Sequence, residues 1–157
     1  MEIRLSRNFV LSEFTRSTTA AKLGIPNTPS PEDIARLKQL CTKTLQPIRD
    51  AWGSALNVTS GFRGFRLNKA VGGSDTGVHP LGWAADIVPA NGKIKEFKAF
   101  VKFLLKKGHI PFDQCIDEKR SPHGSSARSG APDSEWVHIG YANRKGLQRK
   151  QFLTKHR

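Results

Sequence analysis

A chain of 157 residues, 37% of them apolar, is long enough for one domain with its own hydrophobic core. No apolar run nears the roughly 18 residues of a membrane span, and the opening MEIRLSRNFVLSEF carries Glu2, Arg4 and Arg7 where a secretory signal would be continuously apolar. The 26 Lys and Arg against 13 Asp and Glu leave a net charge of +13, which draws polyanions without choosing among nucleic acid, anionic lipid and a negatively charged cell wall.

In chain order, the first clear element is a helix. Ser30 is placed to cap it, Pro31 suits its first turn, and Asp33 stands three residues after the cap. Ile34, Leu37, Cys41, Leu45, Ile48 and Trp52 follow at helical spacing, with Pro47 predicted to kink or interrupt the run. ALNVTS at 55–60 reads as a strand ending in the turn SGFRG, and AADIV at 84–88 as a buried strand. Residues 94–107 predict a second helix with Ile94, Phe97, Val101, Leu104 and Leu105 on one face, stopped by Gly108. IPFDQCI and WVHIGY read as two further strands, separated by a polar loop over roughly 118–134. Strands and helices do not alternate regularly, which predicts an α+β fold with a mostly antiparallel central sheet flanked by helices. Residues 1–143 read as one catalytic domain and 144–157 as a basic tail, either a disordered arm or a polyanion contact. Cys41 and Cys115 form no CxxC and read as buried thiols.

The chemistry concentrates in HPLGWAAD, residues 79–86. Asp86 opens an apolar strand among alanines, where an unpaired carboxylate is costly to bury. A metal ion supplies the missing partner, and small neighbours leave it room. His79 is a second candidate ligand, and His138, in the apolar strand SEWVHIGY, a third; three protein ligands plus an open position would describe a catalytic zinc site. Glu135 lies three residues before His138. Positions three apart in a straight strand face opposite ways, so Glu135 reaches the site only if it sits before the strand proper. There it would take a proton from water activated by the metal.

H-x-x-G-x-A-x-D followed by E-x-x-H, here His79, Gly82, Ala84, Asp86, Glu135 and His138, resembles the zinc D-alanyl-D-alanine peptidases of the M15 family. LQPIRDAWG, SGFRGFRLNKAVGG and FDQCI resemble further stretches of its small single-domain members, so the likeness spans most of residues 8–142. It implies the fold shared with the hedgehog signalling domain and the lysostaphin-like wall peptidases. It also implies one Zn2+ on His79, Asp86 and His138, Glu135 as general base, and Arg63 of SGFR polarising the scissile carbonyl, with Arg66 as the alternative. Gly77 departs from the serine usual two residues before the first histidine, which touches substrate detail more than metal binding.

The implied activity is hydrolysis of an amide in the stem peptide of bacterial peptidoglycan, by D-Ala-D-Ala carboxypeptidase or L-Ala-D-Glu endopeptidase action. A monomeric phage endolysin, waiting in the host cytoplasm and then acting on the wall, fits that reading, with an anionic cell-wall or outer-membrane surface as the partner of the positive charge. Trp83, Trp136 and His123 are candidate substrate contacts, although core packing for the tryptophans and a plain loop position for the histidine account for them equally. The rival reading is a zinc-containing binding module of the same fold without activity. Specific nucleic-acid binding has only charge behind it, since the chain has one tyrosine and no basic-aromatic motif.

Overall fold

The computed structural model describes residues 2–74, 77–122 and 133–157. A short hairpin of β1 (Arg4–Ser6) and β2 (Phe9–Val10) leads into two small helices, α1 (Ser12–Thr15) and α2 (Thr18–Leu23). The expected capped helix follows as α3 (Pro31–Leu40). Ser30 Oγ accepts the Asp33 amide at 3.1 Å, and the Ser30 amide donates back to Asp33 Oδ2 at 2.9 Å, a reciprocal capping box. A π-helical turn over Cys41–Leu45 then widens the helix immediately before α4 (Gln46–Trp52). Pro47 falls in the first turn of α4, where its missing N–H and its ring are tolerated, so the predicted interruption is a bulge rather than a break.

The other elements are β3 (Leu56–Ser60), α5 (Phe65–Ala70), a 3-10 turn at His79–Leu81, β4 (Ala84–Pro89), α6 (Ile94–Lys106), β5 (Gln114–Arg120), β6 (Ser134–Gly140) and β7 (Gln151–His156). The last five strands form one sheet in the order β3-β4-β6-β5-β7. Every pairing is antiparallel except β5 with β7, which is parallel. The fold is therefore α+β with a mostly antiparallel, strictly mixed, sheet.

Strand alternation sorts the sheet into two faces. Ala85, Ile87, Val137, Ile139 and Cys115 turn toward the helices and join Leu37, Leu45, Ile48, Phe97 and Val101 in the core. The other face carries Asp86, His138, Trp136, Ile116 and Glu118 and floors an open cleft. Both cysteines are free and buried. No helix among the described residues is long and apolar enough to cross a membrane.

The segment after residue 143 is folded onto the domain. Arg149 grips Asp113 with a bidentate fork, Nε to Oδ1 at 2.8 Å and Nη2 to Oδ2 at 2.7 Å, and its amide donates to the same carboxylate at 2.8 Å. β7 then runs alongside β5.

Candidate functional site

Asp86 on β4 and His138 on β6 are direct cross-strand partners, so the pleat delivers both side chains to the cleft, with His138 Nδ1 3.0 Å from Asp86 Oδ1. Ala84, two residues before Asp86 on the same face, is fully buried and adds no bulk. His79 arrives from the 3-10 turn. That turn is closed by Gly82 at φ +80°, and a Cβ there would lie 2.7 Å from the Asp33 carbonyl of α3. Only glycine combines the left-handed backbone with that approach. The turn is thereby pressed onto α3, with His79 Nε2 3.7 Å from Asp86 Oδ1. His79 Nδ1 lies 2.7 Å from the Gly61 carbonyl. A carbonyl only accepts, so Nδ1 carries the hydrogen and Nε2 presents its lone pair to the cluster.

The three residues fit a zinc-type ion. They form a group whose ligand atoms all lie within 4.8 Å of one another. Ligand atoms around a tetrahedral zinc stand about 3.4 Å apart for bonds of about 2.1 Å, and the separations from Asp86 Oδ1 to the two histidines, 3.0 and 3.7 Å, bracket that value. Burial pushes the His79 imidazole down to about 4, which keeps it neutral. Burial alone would raise the Asp86 carboxyl, but the neighbouring His79 and His138 outweigh it and hold the group below its ordinary value. Neutral imidazole and ionised carboxylate are the forms a metal takes.

Arg63 follows β3 in the loop that carries Gly61, and its amide donates to the His79 carbonyl at 3.3 Å. The loop is braced by Asn27, whose side chain donates to the Phe62 carbonyl and accepts from the Gly64 amide. Arg63 lines the cleft, and its Nε is buried with no hydrogen-bond partner among the described residues. Burial weighs against its charge, while Asp86 and Glu118 sustain it. The guanidinium thus sits in reach of the fields of both acids, with a donor still to satisfy. Arg66, the alternative, is exposed on α5.

The structure does not bring Glu135 to this cluster. β6 already begins at Ser134, so Glu135 is an ordinary strand position and the condition set by the pleat is unmet. Its side chain lies on the helix-facing side, bonded to Lys98 Nζ of α6 at 2.9 Å. Lys98 also holds Asp117 at 2.6 Å. Besides Asp86, two acids line the cleft: Asp113, whose carboxylate is occupied by the Arg149 fork, and Glu118, opposite Trp136 in the β5–β6 register and 7% exposed. The sequence signal of Glu118 was weak, because the run Asp117-Glu118-Lys119-Arg120 reads as a solvated loop start. The structure instead continues β5 to Arg120, and period-two alternation from Gln114 then places Glu118 on the cleft face.

Trp136 lines the cleft and donates its indole N–H to Glu118 Oε2 at 3.1 Å. Trp83 is away from the cleft, tilted against Tyr141 at 6.1 Å and beside Arg36 at 5.9 Å. His123 lies outside the described residues. The cleft holds about 960 Å³ and is rimmed by Arg120, Arg144, Lys145 and Lys155.

Comparison with protein families matches residues 7–112 to the family described as Peptidase M15, a span that includes His79, Asp86 and Arg63 and stops short of β5, β6 and β7. Comparison with curated proteins finds no match.

Proposed function

Because the chain belongs to the M15 peptidase family, a family of zinc metallopeptidases, we propose that the cleft hydrolyses an amide bond in the stem peptide of bacterial peptidoglycan, with His79, Asp86 and His138 as the zinc ligands. The observation that carries this reading is the convergence of those three side chains, from a turn and two strands, within 4.8 Å of one another on the open face of the sheet. A zinc ion held there would supply Lewis-acid polarisation of water and of the scissile carbonyl.

The chain's own groups carry the remaining steps. Glu118, in place of Glu135, accepts the proton of the attacking water and returns it to the leaving amine. Arg63 offers its unpartnered donor to the oxygen that becomes negative as the carbonyl turns tetrahedral. Trp136 closes one side of the cleft beside Glu118. The cationic rim favours a substrate carrying carboxylates, as stem peptides do, and the net charge of +13 favours an anionic wall or outer-membrane surface around it. A phage-type wall-lysing role is consistent with that chemistry.

Incubation with purified muropeptides, with and without a chelator, followed by mass analysis of the products, tests the proposal. Loss of one terminal alanine identifies a carboxypeptidase, and a cut after the first stem residue an endopeptidase. Intact muropeptides from zinc-replete protein would refute the substrate assignment.

A further inference from the structure

Glu118 is held at both oxygens. Oε2 accepts the Trp136 indole N–H, and Oε1 accepts Arg157 Nη2, each at 3.1 Å. The two donors come from opposite sides, Trp136 from β6 and Arg157 from just beyond β7, on the two strands that flank β5. The Arg157 backbone is fixed as well, since its amide donates to the Lys119 carbonyl at 2.8 Å and its carbonyl accepts the Ser121 amide at 2.7 Å.

The side chain of Arg157 contributes little to holding the fold. It is 57% exposed, against 9% for the side chain of Glu118 taken alone, and an ion pair with one end in solvent adds little stability. β7 is already secured by its ladder to β5 and by the fork between Arg149 and Asp113. What Arg157 does control is the last torsion of Glu118. With only Trp136 attached, the carboxylate is free to swing about a single hydrogen bond, and sp3–sp2 torsions of this kind are broad and soft.

We propose that Arg157 is a positioning residue. It locks the Glu118 carboxylate, against the Trp136 anchor, into the orientation in which it receives the proton from water. The proposal rests on the reading of Glu118 as proton acceptor. It gives the segment after β6, which lies beyond the family match, a direct part in the site.

The test compares Arg157→Ala, Arg157→Lys, Glu118→Gln and the double variant Glu118→Gln/Arg157→Ala on a muropeptide substrate, with zinc content and melting temperature recorded for each. Arg157→Ala should lower kcat about ten- to 100-fold with KM, zinc content and melting temperature nearly unchanged. Arg157→Lys should recover part of the loss. The double variant should be no worse than Glu118→Gln alone, because both changes act through one carboxylate. A substrate-free readout accompanies these: in 15N-labelled protein the Trp136 indole resonance should move in Arg157→Ala while those of Trp52 and Trp83 stay. A normal kcat, a rise confined to KM, or an additive loss in the double variant overturns the positioning role while leaving an impaired Glu118→Gln, and hence the proton-acceptor reading, intact. A fully active Glu118→Gln overturns that reading, and the positioning role falls with it.

Discussion

The two faces of one sheet hold two acids on adjacent strands, Glu118 and Glu135, offset by a single step of register: Glu118 sits opposite Trp136, and Lys119 opposite Glu135. That step decides everything about them. Glu118 looks into the cleft with the metal-type cluster, while Glu135 looks at α6 and is neutralised by Lys98. Period-two alternation converts one residue of register into opposite chemistry, so the proximity of an acid to His138 in the sequence says little about its proximity in space.

The strongest way to break the comparison is to exchange neighbours on β4. Asp86→Ala should abolish zinc uptake, read by elemental analysis, and with it all peptide hydrolysis. Ile87→Val, one residue on and fully buried in the core, should cost about 1 kcal/mol of stability and leave zinc content unchanged. Equal zinc loss in both variants would mean that the two faces are not functionally separate.

Next in size is the pair of acids themselves. Glu118→Gln should lower kcat by a factor of about 100 to 10,000, the span of general acid–base contributions, with zinc retained. Glu135→Gln should leave kcat and zinc content alone and weaken only the contact with Lys98. Steady-state kinetics on the two variants reverse the assignment if the losses appear the other way round.

The sequence disclosed these regions unequally, for physical reasons. The capping box at Ser30, the apolar period of α6 and the strand at 84–88 are local patterns, and each stands where its pattern predicts. Asp86 was legible because a carboxylate at the head of an apolar strand needs a partner. Glu135 misled because its orientation depends on where β6 starts, and strand ends are set by pairing with β5 rather than by local residues. Glu118 and β7 were hidden for the same reason. A charged run becomes strand only because partners lie on both sides, and β7 pairs in parallel across a long connection held by the distant fork between Arg149 and Asp113. Among the elements before residue 30, α2 depends on its Ser17 cap and Gly24 stop rather than on apolar period, and went unread.

Gly82 tests how tightly the cleft side depends on the helix side. Gly82→Ala must adopt a left-handed backbone, at about 1–2 kcal/mol, and also push against the Asp33 carbonyl. Thermal unfolding should register the loss of stability. Zinc affinity should fall as well, since the turn that carries His79 has to lift from α3. A variant that melts earlier yet keeps full zinc affinity would show His79 to be held by its Gly61 contact alone.

The effect most remote from the metal-type cluster concerns the Asp113–Arg149 fork. Asp113 is almost wholly buried; burial by itself would raise its carboxyl, but the hydrogen bonds and charge of Arg149 hold it below the ordinary value. A folded value beneath the unfolded one, about 3.9, means that the fork's stabilisation is complete above that pH and fades as the pH falls through the folded value. Arg149→Ala removes the fork but keeps the amide bond to Asp113, so it should cost about 2 kcal/mol at neutral pH. With burial then the dominant influence, protonation relieves the variant rather than harming it. Urea denaturation across the acid range should therefore show the gap between the two proteins narrowing as pH drops. A constant gap would place the value of Arg149 in its packing instead of its charge.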